Sequence, residues 1–191
     1  MADILIDKLR SLAPLGEELA ERIRMMARTE EYKAGDIILR EGQVCRRASL
    51  IVKGLTRSYY LNDGVEITSR FMEEGSILTS WPSYFLQQPG YEYIEAVEDT
   101  ILTGLNHDDI EQLYKEFPVF NVTGRKQTEF AFYQAEMRTQ LLRKHTAEEK
   151  YRYFTEHHPT LLQRVALKHI ATYLGMSEET LSRVRSRFHK K

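Results

Sequence analysis

Glu179, Ser182 and Arg183 stand three and four residues apart, so on a helix they share one edge. A guanidinium on such an edge can bond guanine O6 and N7 together, and a carboxylate can accept from cytosine N4. Each good bidentate contact discriminates by about 1–3 kcal/mol. Arg185, Arg187, Lys190 and Lys191 follow closely, and cations placed there suit phosphates, which supply position and salt-sensitive affinity. Plainer roles are open to the same residues. Glu179 can satisfy the helix dipole, and Glu179 with Arg183 can form an i,i+4 ion pair worth about 0.3–0.5 kcal/mol.

The segment ALKHIATYLGMSEETLSRVRSRF shows how such an edge would be held. Ile170, Ala171 and Leu174 make one apolar face, and Ala171 is small enough for another helix to cross closely. Gly175 follows, where a tight turn needs a residue tolerant of positive φ. Ser177 suits an N-cap, with Glu178 and Glu179 in the first turn. Leu181, Val184 and Phe188 would bury the edge opposite Glu179, Ser182, Arg183 and Ser186. The outline is helix, glycine turn, helix, with a polar second helix over 178–188. A plain αα-hairpin shares that outline. Charge separates the two ends of the chain: net charge is -1, yet Thr160–Lys191 holds seven basic residues and two acidic ones, leaving an acidic body. That is the electrostatic footprint of a polyanion binder, or else an ordinary basic tail.

Upstream, residues 3–28 read as one or two helices broken near Pro14 and Gly16. From Tyr32 to about Leu105, glycines recur between short β-prone runs (DIIL, ASLIVK, LTRSYYL, VEITSRF, YEYIEAV, TILTGL), which predicts a sandwich or barrel of short strands. Asp63-Gly64 between two runs is a hairpin signal. NHDDIEQLYKEFP reads as a helix that stops at Pro118. Residues 119–145 carry an apolar stripe, Phe130, Tyr133, Met137 and Leu141, on a helix of about 25 residues. The stripe would pack on the β-domain or on a symmetry-related copy. TAEEKYRYFTEHHP is a further helix, and 160–189 reads as three short ones.

Composition narrows the chemistry. Hydrophobic residues make 42% and charged residues 29% of the 191, which is ordinary for a globular chain with room for one domain and a small second one. No apolar run approaches the roughly 20 residues of a membrane span, and the N-terminus lacks the character of a secretory signal. The single cysteine, Cys45, excludes an internal disulfide and a four-cysteine cluster, and fits a reducing cytoplasm. It is either a packed residue or, beside Arg46-Arg47, a thiol with lowered pKa. None of the six histidines lies in the β region, so a β-barrel metal site has no ligand set there, and no phosphate loop or nucleophile elbow is present. No catalytic residue, metal or cofactor is expected, and the chain is not expected to be an enzyme.

At this point the sequence resembles the Crp/Fnr superfamily of transcription regulators. SEETLSRV is similar to the family's E-T-x-S-R recognition core, and YKAGDIILREGQ, LIVKGLTRSYY and DGVEITSRFMEEGSI are similar to its cyclic-nucleotide-binding β-roll. The resemblance covers nearly the whole chain. It implies an α+β protein: a β-roll sensor domain with flanking helices over 1–118, a dimerisation helix over 119–145, and a helix-turn-helix domain over 146–191. It implies a homodimer on a pseudo-palindromic operator in duplex DNA, with Glu179, Ser182 and Arg183 at the base-reading positions and RNA polymerase as a candidate partner. Where Glu178 stands, the cyclic-AMP-responsive members have an arginine, so their half-site is not carried over. The chain stops three residues after Phe188, which predicts no β-hairpin wing. The alternative is a ligand-binding or protein-interaction module of the same fold without specific DNA binding.

The family's phosphate-binding cassette reads G-E-L, then Arg-Ser about ten residues later. An ungapped comparison from Gly75 puts Thr79, Ser80 and Trp81 at the first position, and Gly90 and Tyr91 at the second. The ribose carboxylate and the phosphate arginine are both missing, and an uncompensated phosphate in a closed pocket is costly. Tight cyclic AMP or cyclic GMP binding is therefore not expected, and the effector is unknown. Trp81, Tyr84, Phe85, Tyr91 and Tyr93 either line a pocket for another small molecule, fill the vacated space as core, or dock a partner.

Overall fold

The structure is a computed structural model and describes residues 1–188. The chain divides into two compact units: residues 1–58 with 71–130, and residues 59–70 with 131–191.

The first unit begins with α1 (Ala2–Leu12) and α2 (Glu17–Met26), separated at Pro14 and Gly16. Eight strands follow: β1 (Arg28–Tyr32), β2 (Ile37–Leu39), β3 (Arg47–Lys53), β4 (Thr56–Asn62), β5 (Val65–Met72), β6 (Ile77–Leu78), β7 (Tyr93–Ala96) and β8 (Thr100–Asn106). They form two four-stranded sheets in the orders β1-β8-β3-β6 and β2-β7-β4-β5. Helix α3 (Trp81–Leu86) lies between β6 and β7, and α4 (His107–Glu116) follows β8.

Alternation along β3 and β8 sends apolar side chains to both faces of the first sheet. Ile51 and Leu102 pack with Met72, Leu78 and Ile94. Leu50 and Leu105, on the other face, pack with Leu5, Ile6, Leu19 and Ile23 of the N-terminal helices and with Leu113 and Phe120. Two covered faces explain why Leu50 and Ile51 stand side by side without a polar residue between them. β8 is antiparallel to both β1 and β3, with Gly104 opposite Arg28 and Ser49.

Helix α5 (Phe120–Lys144) runs through the boundary of the two units. The second unit then adds α6 (Ala147–His157), α7 (Leu161–Arg164), α8 (Leu167–Tyr173) and α9 (Glu178–Phe188). Thr146 and Glu149 make a reciprocal capping box at the start of α6. Tyr151, Phe154, Leu161, Ile170, Leu174, Leu181 and Val184 form the buried interior of this unit. The tip of the β4–β5 hairpin, residues 59–70, falls with the second unit. Its turn is Asp63-Gly64, both at positive φ, the two-residue turn the pair encodes.

Gly104 is where the first sheet tolerates least. A Cβ there would stand 2.3 Å from the Ala48 carbonyl oxygen and 2.5 Å from Ser49 Cα. Both are backbone atoms of β3, so no rotamer change relieves the contact. Gly104→Ala is expected to destabilise the chain by about 3 kcal/mol, the upper part of the overpacking range, read as a lower urea midpoint at unchanged m-value.

Candidate nucleic-acid interface and sensor cassette

Helices α8 and α9 meet through Ile170, Ala171, Leu174, Leu181 and Val184, all buried. Gly175 turns the chain between them at φ +62. The Ser177 hydroxyl accepts the Thr180 N–H at 3.2 Å, so it caps α9 at its third backbone donor. Phe188 is half-buried and meets Tyr151 edge-on at 5.3 Å.

This packing turns Glu179, Ser182, Arg183 and Ser186 to the exterior, where all four are exposed. Arg183 Nη2 donates to Thr180 Oγ1 at 3.2 Å. Among the described residues it does not pair with Glu179, so the intrahelical ion pair gives way to two separate polar groups on one edge. Arg185 is half-buried. Arg187 is exposed and forms an ion pair with Glu148 at 2.8 Å. A cleft of about 430 Å³ separates α9 from the start of α6, lined by Thr146, Glu148, Thr180, Arg183 and Arg187 among others. Lys190 and Lys191 lie outside the described residues.

The predicted stripe on α5 divides. Phe130 and Tyr133 are 54% and 58% exposed, Met137 is half-buried, and Leu141 is 3% exposed. Phe132, which the periodicity did not select, is 68% exposed. An aromatic surface of that kind on one helix lies open along the single chain.

The cassette segments converge on Cys45. Thr79 and Ser80 are buried, Trp81 and Gly90 half-buried, and Tyr91 is 58% exposed. The Ser80 N–H donates to Cys45 Sγ at 3.4 Å, and Thr79 Oγ1 lies 3.3 Å from the same sulfur while donating to the Arg47 carbonyl at 3.0 Å. Cys45 N–H donates to Ser83 Oγ at 2.9 Å. Gly90 exchanges backbone bonds with Gly42 and Gln43, closing the loop onto the strand connection. The sequence singled out Cys45 for its neighbours Arg46-Arg47 and not for Thr79, Ser80 and Ser83, which lie 34 to 38 positions away.

The aromatics separate too. Trp81 stacks on Phe85 at 5.3 Å, and Tyr84 meets Phe85 and His107 edge-on. Burial pushes the Tyr84 phenol above its ordinary range. Trp81, Tyr84 and Phe85 border a cavity of about 90 Å³, lined also by Leu5, Tyr114 and Phe120. That volume falls well short of the roughly 300–1,000 Å³ of small-molecule pockets. Among the described residues no cluster of three His, Cys, Asp or Glu could hold a metal ion, and no helix is long and apolar enough to cross a membrane.

Sequence reasoning passed over Arg138. Its guanidinium lies 3.9 Å from the Tyr173 ring centre and donates to two carbonyls, and burial pulls its pKa below the ordinary range. The one available signal was a cation directly after Met137 of the apolar stripe.

Residues 29–117 match the cyclic nucleotide-binding domain family. No curated protein matches the chain. Among solved structures, FixK2 from Bradyrhizobium japonicum is 22% identical, with 86% of this chain and 85% of that one covered at a TM-score of 0.75. A transcriptional regulator of the CRP/FNR family from Thermus thermophilus is 20% identical, covering 85% and 86% at 0.65. The catabolite activator protein of Thermus thermophilus is 22% identical, covering 96% and 86% at 0.57. The α+β architecture, with its β-roll, long helix and C-terminal helices, is the fold of these solved structures.

The cap on α9 gives a direct check. Ser177→Ala is expected to cost about 1 kcal/mol, the usual worth of a serine cap, seen as a lower melting temperature with the fold retained by circular dichroism.

Proposed function

We propose that the chain is a sequence-specific DNA-binding transcription regulator of the Crp/Fnr type, acting as a homodimer in the cytoplasm. The observation that carries the reading is the exposed edge of α9. Its apolar side is consumed by packing on α8, which leaves Glu179, Ser182 and Arg183 facing outward on a capped helix. Arg183 reads guanine and Glu179 accepts from cytosine. Arg185, Arg187, Lys190 and Lys191 hold phosphates, with Arg187 exchanging Glu148 for one of them.

The roles we assign are 1–118 as sensor, 119–145 as dimerisation helix and 146–191 as DNA-binding head. The open aromatic surface at Phe130, Phe132 and Tyr133 supports pairing of two copies through α5. Two heads would then enter successive major grooves about one helical turn apart, giving a pseudo-palindromic site. The cassette residues Thr79, Ser80, Trp81, Gly90 and Tyr91 form a degenerate pocket. Aliphatic side chains occupy the sheet interior and the Thr79 hydroxyl is spent on the Arg47 carbonyl, so cyclic AMP and cyclic GMP are not held tightly. The chain is not an enzyme, and RNA polymerase is the partner through which a regulator of this type acts.

Selection of duplexes from a random pool tests the reading. A palindromic motif is expected, with affinity falling steeply as salt rises. Arg183→Ala should cost about 1–3 kcal/mol and relax the preference at one base pair. Removal of Lys190 and Lys191 should weaken all duplexes alike and flatten the salt slope. Recovery of no motif, or affinity indifferent to Arg183, defeats the proposal. Cyclic AMP or cyclic GMP at about 1 mM should leave the melting temperature unchanged, where a ligand with micromolar affinity would raise it.

A further inference from the structure

Arg138 is a cation for which the DNA-reading edge has no use. Its Nη2 donates to the Tyr173 carbonyl at 2.8 Å and to the Thr68 carbonyl at 3.3 Å. The guanidinium carbon stands 3.9 Å from the Tyr173 ring centre. Tyr173 ends α8, the first helix of the helix-turn-helix, and Thr68 belongs to the tip of the β4–β5 hairpin. Next to it, the Thr68 N–H donates to the Thr172 hydroxyl at 3.2 Å. On the same hairpin Glu66 Oε2 lies 4.0 Å from His169 Nδ1 of α8. One guanidinium thus joins three elements: α5, the hairpin tip and α8.

The junction is not built for stability alone. Arg138 Nη1 and Thr68 Oγ1 are buried and have no hydrogen-bond partner. Among the described residues the guanidinium is held by carbonyls and a ring, all uncharged. A largely buried cation without a counter-ion, beside an unsatisfied hydroxyl, carries a standing penalty that opening to water removes. Contacts of that kind suit a two-state element. The hairpin is also the extension of β4 and β5, two strands of the second sheet. A displacement of those strands therefore reaches the junction along continuous backbone.

We infer that Arg138 pins a latch between the hairpin tip and α8, and that the latched arrangement is the weak DNA-binding one. The inference rests on the DNA-binding reading of α9. Its sign comes from charge. In a helix-turn-helix the first helix crosses the phosphate backbone. The latched tip sets the Glu66 carboxylate against that helix, with Asp63 in the adjoining turn. Carboxylates near the path of a phosphate strand oppose binding, and release of the tip removes them.

Amide hydrogen exchange and duplex affinity, both on the full chain, test the latch. Arg138→Met keeps the side-chain length and removes the donors. The Thr68 amide, bonded to Thr172 and not to Arg138, is expected to exchange about tenfold faster, because the latch opens as a unit. Affinity for the selected duplex at fixed salt is expected to rise about three- to tenfold, against the fall that loss of a cation alone would bring. Thr172→Val changes no charge and removes the Thr68 N–H acceptor directly, so its readout is the affinity, expected to rise likewise, and that rise carries the test if Arg138→Met does not fold. The double variant should gain little beyond either single one. Unchanged exchange at Thr68 in folded Arg138→Met overturns the latch. So does faster exchange with affinity level or lower in both. A wild-type chain that binds no duplex overturns the reading of α9 and the sign with it, while the exchange result still decides whether the latch exists.

Discussion

Helix α9 cannot bury Leu181 and Val184 without turning Glu179, Ser182 and Arg183 to water. Ile170, Ala171 and Leu174 supply the surface that receives it, and Gly175 supplies the bend. The angle at which the polar edge is offered is therefore set by apolar packing and not by the polar residues themselves. The Ser177 cap fixes where the helix begins. A shift of one residue would rotate the edge by about 100°, since a turn holds 3.6 residues.

The first unit obeys the same economy at larger scale. Covering one sheet on both faces buries Leu50 and Leu105 under the N-terminal helices and Ile51 and Leu102 between the sheets. The interior between the sheets closes on Ile51, Leu78, Ile94 and Leu102 with Met72. The short polar residues of the cassette serve its wall: the Thr79 hydroxyl and the Cys45 thiol meet the Arg47 carbonyl, and the Ser83 hydroxyl meets the Cys45 and Gln88 backbone. A hydroxyl committed to buried backbone is not easily recruited by a ligand, because its own partner would be left unsatisfied.

Three arginines of the second unit illustrate how solvent decides the use of a charge. Arg183 and Arg187 are exposed, and the Arg187–Glu148 pair is of the surface kind that is worth little and is readily exchanged. Arg138 has its charge largely removed from water and shared among neutral carbonyls. The first two keep their charge in water, where a new partner costs little desolvation. The third costs free energy where it stands, and its location at the meeting of hairpin tip, α5 and α8 gives that cost a direction.

Periodicity made the helices, the run of short strands, the Asp63-Gly64 hairpin and the outward edge of α9 legible, because each depends on residues within a few positions of one another. The N-terminal helices separated at Pro14 and Gly16 as the sequence predicts. The α5 stripe was legible as a stripe, but not that Leu141 would be buried while Phe130 and Tyr133 stay open. The aromatic residues near the cassette were legible as a group. Their separation into a stacked Trp81–Phe85 pair and an exposed Tyr91 was not. Tertiary structure alone decided that Cys45 joins Thr79 and Ser80, and that Arg138 joins Thr68 to Tyr173. Those partners are 34 to 70 residues apart. Local pattern records which face of an element seeks burial, whereas the identity of the group it meets depends on how the elements pack.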